Sequence, residues 1–281
     1  MKKITLSLLF ALFCAFAFAQ NGLEKIIVEK YYISDVHDTA SRKFAGHLPI
    51  GSVTYRIYVD MLPGYKFESA YGSPTHSLRI ATTTLFFNNE DKGGTVANVI
   101  PKDYLKFNTN MLDSWLSVGA ASEGNWGVLK SDDNGIETVV NDQGFLQNEN
   151  PEAGIPLKKQ DGLLAGTPPL VTGFKIDSAI KVFDNSTKGS LFATTNGAWA
   201  SLNGSVGPTP DNRVLIAQIT TDGVFSFELN IQIGAPDGRI EQYVAKDPAG
   251  AEILLPSLTY PPVINSAASQ KIETGKPFHK K

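Results

Sequence analysis

The chain has 281 residues, of which 42% are hydrophobic and 19% charged, with a formal net charge of −3 and one cysteine. A mildly acidic chain with no basic run before its extreme tail is not built to hold nucleic acid, and one cysteine excludes an internal disulfide framework. Stability must then come from core burial, for which about 260 residues beyond a leader are enough.

Residues 1–19 carry Lys2 and Lys3, an apolar run over 4–18 and the ending Ala17-Phe18-Ala19. That is the layout of a secretory signal peptide, so the mature chain is expected to begin at Gln20 and to be secreted, extracellular or at the cell surface. Cys14 lies within this leader, and Leu12 and Phe13 before it do not suit a lipoprotein cleavage site. The apolar run is short for a spanning helix and no later stretch is long enough, so no transmembrane segment is expected. Loss of Lys2 and Lys3 takes the net charge to about −5.

Residues 23–34, with Ile26, Val28 and Tyr32, predict a first strand, followed by a polar loop over 35–49. Val53, Tyr55, Ile57 and Val59 alternate with Thr54, Arg56, Tyr58 and Asp60, and Pro63-Gly64 leads into Tyr65, Phe67, Ser69 and Tyr71. Residues 53–71 therefore read as an antiparallel hairpin. A third run over 78–87 places Leu78, Ile80, Thr82, Thr84 and Phe86 on one face, and a short strand is expected at 114–118. Over 119–169 the pattern breaks into pieces rich in Gly, Asn, Asp and Pro, long for a plain connection. It reads as a flap packed down by Trp126, Val128, Leu129, Val139, Val140, Phe145 and Leu146. Strand alternation resumes at Phe174, Ile176, Ser178, Ile180 and Val182, and further strands are expected at 190–194, 198–202 and 241–245.

The strongest pattern lies at 213–233, where Phe225, Phe227, Leu229, Ile231 and Ile233 alternate with Ser226, Glu228, Asn230 and Gln232. Read as a hairpin through Thr221-Asp222-Gly223 with Gly223 left-handed, it sets Phe225, Phe227 and Leu229 opposite Ile219, Ala217 and Leu215. Helical periodicity is nearly absent and no fixed-period repeat is found. The expectation is an all-β chain: one large antiparallel β-sandwich over 20–262, jelly-roll-like, with a long irregular middle connection and a disordered polar tail over 263–281.

The segments Asp113-Ser114-Trp115-Leu116-Ser117-Val118-Gly119 and Val214-Leu215-Ile216-Ala217-Gln218-Ile219-Thr220-Thr221, with 22–32 and 52–60, resemble a group of uncharacterised secreted β-rich proteins of the Bacteroidetes type. The resemblance covers nearly the whole mature chain and implies an exported β-rich protein; it brings no activity and no site residues. Longer members often carry a C-terminal sorting domain, and nothing of that kind is evident after Tyr260-Pro261-Pro262.

Hydrolase motifs are missing: there is no Gly-x-Ser-x-Gly and no His-Glu-x-x-His. Ser178-Ala179-Ile180-Lys181 matches Ser-x-x-Lys, but in a strand the two side chains would point to opposite faces. Histidines 37, 47, 76 and 279 lack metal-ligand spacing. Asp113 beside Trp115, or Glu90 with Asp91, are carboxylates that a glycoside hydrolase would need in pairs. Asn88, Glu90 and Asp91, and Asp132, Asp133 and Asn134, offer oxygens of the kind Ca²⁺ takes, although turn chemistry also explains both stretches. Trp126 and Trp199 lie beside glycines, where an indole face can stack on a sugar; a core or anchoring role explains them as well. Two functions fit: a non-enzymatic extracellular protein with a structural, adhesive or binding role toward a glycan or surface protein, or a carbohydrate-binding module or carbohydrate-active enzyme.

Overall fold

The computed structural model describes residues 21–38, 48–107, 109–136 and 146–262. The expected leader and tail, and Val139, Val140 and Phe145 of the flap, lie outside the described residues. The fold is all-β. In chain order the strands are β1 Leu23–Ile33, β2 Val53–Met61, β3 Lys66–Gly72, β4 Leu78–Thr82, β5 Trp115–Leu116, β6 Ala120–Ser122, β7 Asn125–Gly127, β8 Leu163–Ala165 and β9 Thr172–Phe174. They continue with β10 Leu191–Thr194, β11 Gly197–Ser205, β12 Arg213–Thr221, β13 Phe225–Glu228, β14 Asn230–Gly234, β15 Ile240–Val244, β16 Ile253–Leu254 and β17 Thr259–Tyr260.

These strands form a central sheet ordered β1-β2-β12-β5, a second sheet β10-β4-β13-β17, a six-stranded sheet β16-β15-β14-β3-β11-β9 and a small sheet β6-β7-β8. Ile57, Val59, Val214 and Ile216 on one face of the central sheet share a core with Ile80, Phe192 and Phe227 of the second sheet and Phe67, Trp199 and Ile231 of the six-stranded sheet. That is the sandwich, and each such side chain contributes roughly 1.5–3 kcal/mol by leaving water. Tyr58, Trp115 and Leu215 on the other face of the central sheet share a second core with Ile100, Leu112, Leu157 and Leu163. The flap and the 97–112 turns thus make a third layer. Covered on both sides, β2 and β12 are buried almost from end to end, so their polar residues lie in the protein interior.

Those polar residues are paired. Arg56 is 1% exposed; its Nε donates to Gln218 Oε1 at 2.9 Å, its Nη1 to the Gly162 carbonyl at 3.0 Å, and its guanidinium lies 3.5 Å from the Tyr31 ring centroid. Tyr58 donates its hydroxyl to the Val128 carbonyl at 2.7 Å, and Tyr31 to that of Asp161 at 2.7 Å. Lys130 Nζ donates to the carbonyls of Tyr31 and Ala153, and burial lowers its pKa to about 8. Across β2 and β12, Thr54 and Thr220 hydroxyls meet at 2.7 Å. The flap is therefore pinned to the central sheet by buried polar groups as well as by apolar contact.

Two expectations about pairing and two about strand extent are corrected. β12 and β13 are not a hairpin: β12 pairs with β2 and β5, while β13 pairs with β4 and β17. The two apolar faces meet across the sandwich core instead of side by side, and Thr221-Asp222-Gly223 is the corner between sheets. Gly223 is not left-handed; it is needed because a Cβ there would come within 2.5 Å of both Thr82 Oγ1 and Thr84 Oγ1. Likewise β2 and β3 do not pair; the turn at Gly64, φ 87°, carries the chain from the central to the six-stranded sheet. The run from Phe174 to Val182 is not one strand: β9 ends at Phe174 and Ile180–Phe183 is a 3₁₀ turn. The strand at 78–87 also stops early, at Thr82, although Leu78, Ile80 and Phe86 all reach the core. The strands expected at 23–34, 114–118, 190–194, 198–202 and 241–245 are present within a few residues.

Candidate functional site

The six-stranded sheet is covered on its inner face by the core and, among the described residues, open on its outer face. A bulge decides what the outer face carries. β3 pairs Phe67 with Ile233 and Ser69 with Gln232, so Glu68 is an extra residue. The bulge turns Phe67 inward and Ser69 and Tyr71 outward, whereas plain alternation would put all three on one side; bulges of this kind re-aim side chains at functional edges. On β11 the matching shift falls between Ala200, opposite Ser69, and Ser205, opposite Phe67. Leu202, in the irregular part of β11 between them, is 70% exposed.

The register then lines up residues across the strands. Gln242 of β15 lies opposite Gln232 of β14, Gln232 opposite Ser69 of β3, Ser69 opposite Ala200 of β11, and Ala200 opposite Thr172 of β9. Ser69 Oγ donates to Gln232 Oε1 at 3.1 Å, which orients that amide. Toward the Gly72 end of β3 lies a second row, Tyr71, Ala198 and Phe174. Toward the Lys66 end, Ile240 and Leu202 stand exposed around Glu68. The result is a trough of about 740 Å³ with a floor of amides, a hydroxyl and small residues between two apolar banks. On its other face Gly72 lets β3 pass close to β10, since a Cβ there would meet the Thr194 carbonyl at 2.0 Å. At the rim Lys175 holds φ 53°, uncommon for a side chain of its size. Among the described lining residues Glu68 is the only carboxylate, and partial burial raises its pKa.

The residues singled out from the sequence fall elsewhere. Trp199 is wholly buried, with Nε1 donating to the Ser117 carbonyl at 3.1 Å; it supports the floor from beneath and offers no ring to a ligand. Trp126 on β7 is half-buried and clasped by backbone, since a Cβ at Gly119 or Gly166 would come within 2.6 Å of its indole. It lines a cleft of about 440 Å³ with Asn134, Ile136, Val206 and Pro208. Asn88 donates its amide to the carbonyls of Val182, Asp184 and Thr187, Glu90 pairs with Lys188, and Asp91 stands 3.9 Å from Lys92. Asp132 pairs with Arg213 at 2.7 Å, Asp133 accepts from Gly162 and Gly135 at 2.7 Å, and Asn134 accepts from Ile136 at 2.9 Å. Apart from Asn88 Oδ1, which is buried without a hydrogen-bond partner, these groups are spent on turns and ion pairs.

Asp113 is fully buried and accepts from the backbone of Asn89 and Gly94 at 2.7 and 2.8 Å; burial pushes its carboxyl up to about 8. It shapes the 88–94 loop and cannot reach a substrate. Ser178 and Lys181 are both exposed, in turn and 3₁₀ conformation instead of a strand. Among the described residues, one group of three metal-ligand side chains converges: Asp35, His37 and Glu149, whose donor atoms all lie within 4.8 Å of one another. Its mixed nitrogen and oxygen donors suit a transition-metal ion better than Ca²⁺. Sequence spacing could not show it, because Glu149 comes from the far side of the flap. Nor could spacing show the trough, whose floor draws on four separate stretches.

No family model, curated protein or solved structure matches the chain. Among the described residues, no helix is long and apolar enough to cross a membrane.

Proposed function

We propose that this is a secreted or surface-associated, non-enzymatic β-sandwich protein that binds a glycan in the trough across its six-stranded sheet. The observation that carries the reading is the row of Gln242, Gln232 and Ser69 between the apolar banks of Phe174 and Tyr71 on one side and Ile240 and Leu202 on the other. Amide groups both donate and accept, as sugar hydroxyls do, and apolar surface beside them suits the C–H faces of a sugar ring. Glycoside hydrolysis needs two carboxylates; with Glu68 alone in the lining, binding is favoured over cleavage. The leader-like residues 1–19 support an extracellular setting.

The test is affinity electrophoresis of the mature protein through gels containing xylan, β-glucan, galactomannan or polygalacturonate. The wild type should be retarded by at least one polysaccharide. Ala198→Tyr, which fills the trough without touching the core, should run as in an empty gel. Retardation that survives Ala198→Tyr would place the site elsewhere, the Trp126 cleft being the first alternative; no retardation of the wild type by any polymer would contradict the glycan reading.

A further inference from the structure

We infer that the ligand is an uncharged, unbranched chain of pyranose sugars lying across the strands, with about one sugar per strand; this rests on the glycan reading above and specifies it. Its first support is periodicity. Polar groups aligned by cross-strand register repeat at the inter-strand spacing, about 4.8 Å, whereas an extended peptide repeats every ~3.3 Å and would fall out of step with Gln242, Gln232 and Ser69 within a few residues. An equatorially linked pyranose chain advances by nearly the strand spacing with each sugar. From β15 to β9 the floor spans four such intervals, about 19 Å, room for about four sugars.

The second support is charge. Among the described residues the lining carries one carboxylate, Glu68, and one ammonium, Lys175, on opposite banks, and every other polar group there is neutral. A uronic-acid polymer needs a basic cluster to hold it, and the trough has none. Shape is the third. Ile240 and Leu202 on one side and Phe174 on the other, each about half exposed or more, confine the ligand to a strip, which a branch at each sugar would not fit.

The inference is tested by isothermal titration of the mature wild-type protein with xylo-, cello- and manno-oligosaccharides of two to six sugars, and with oligogalacturonate, at low and high salt. The expected result is an affinity for one neutral series that climbs with each sugar to about four and then levels, with little change when salt is raised. Gln232→Ala with Gln242→Ala should weaken the longest ligand at least about tenfold, and Phe174→Ala should weaken it too, while circular dichroism shows both variants folded. An equal affinity for disaccharide and hexasaccharide would overturn the cross-strand placement. Salt-sensitive binding of oligogalacturonate in preference to the neutral series would overturn the neutral assignment, with the trough still a glycan site. If no oligosaccharide binds and no polysaccharide retards the wild type, the glycan reading fails with the inference; if polymers retard it and no oligosaccharide binds, the inference alone fails.

Discussion

Replacing Arg56 by methionine keeps the length of the buried stem and removes the charge that joins the central sheet to the flap. Three interactions go: the bonds to Gln218 Oε1 and to the Gly162 carbonyl, and the contact with the Tyr31 ring. Gln218 cannot turn to recover a partner, because its Nε2 already donates to the carbonyls of Met111 and Asp113 at 2.9 and 2.7 Å. Glu29, whose pKa burial raises and Arg56 helps to hold down, loses that support. Two charge-assisted hydrogen bonds at about 1.5–3 kcal/mol each and a desolvated cation–π contact of about 2 kcal/mol set an upper range. Relief of the guanidinium's own desolvation offsets part of it. The expected net loss is about 3–5 kcal/mol, as for other broken buried charge networks, or a fall of about 6–20 °C in Tm for a domain of this size. Urea unfolding followed by circular dichroism measures it. Limited proteolysis should show new cuts between 128 and 163, because the flap is the layer released, while retardation by polysaccharide is kept by the folded fraction. A change below about 1 kcal/mol, or cuts that fall first in the six-stranded sheet, would refute the assignment of Arg56 as the pin of the flap.

Asp113 gives a pH prediction. Its folded pKa, about 8, stands above the ordinary 3.8, so the folded state holds a proton that the unfolded state has lost, and the stability this contributes is full below about pH 4 and fades as pH rises through about 8. The component of the pH–stability curve between pH 5 and 8 should fall in the wild type and be absent in Asp113→Asn, whatever that variant's overall stability; an identical slope in both would contradict the protonated carboxyl. Gly223→Ala should cost about 1–3 kcal/mol through overpacking at the Thr82–Thr84 corner, measurable by the same urea titration, and an unchanged midpoint would contradict the close approach there. Trp126→Ala should leave polysaccharide retardation unchanged, since the cleft it lines is separate from the trough; loss of binding in a folded Trp126→Ala protein would move the site. Protein recovered from the medium of an expressing bacterium should begin at Gln20 by N-terminal sequencing, and an intact Met1 on exported protein would remove the leader from the account.

Much of the fold was legible because period-two patterning is a local property. Phe225, Phe227, Leu229, Ile231 and Ile233 alternate in sequence, and all five are buried in the structure. Pairing was not legible, since two apolar faces joined by a short corner can meet side by side or across a core, and nothing within 213–233 chooses between them. The choice rests on Thr82 and Thr84, well over a hundred residues earlier, whose hydroxyls bond Thr221 at 2.7 and 3.0 Å. The third layer was hidden for a related reason. Arg56, Tyr58 and Gln218 look like solvent-facing positions until the flap is laid over them. For function, tryptophans beside glycines were a poor guide: Trp199 went to the core because β11 needs a large inward residue over the aromatic cluster, where it meets Phe192 at 5.8 Å. The trough was invisible because its floor is set by register and by the Glu68 bulge, neither of which can be read from one strand alone.

The most direct test of the central claim is hydroxyl-radical footprinting of the wild-type protein with and without a retarding polysaccharide, read by mass spectrometry. Phe174, Leu202 and Ile240, side chains that stand open on the trough's banks, should be protected, with Trp126, Ile136 and Val206 unchanged. Protection centred on the latter three, with the trough side chains oxidised as before, would contradict it.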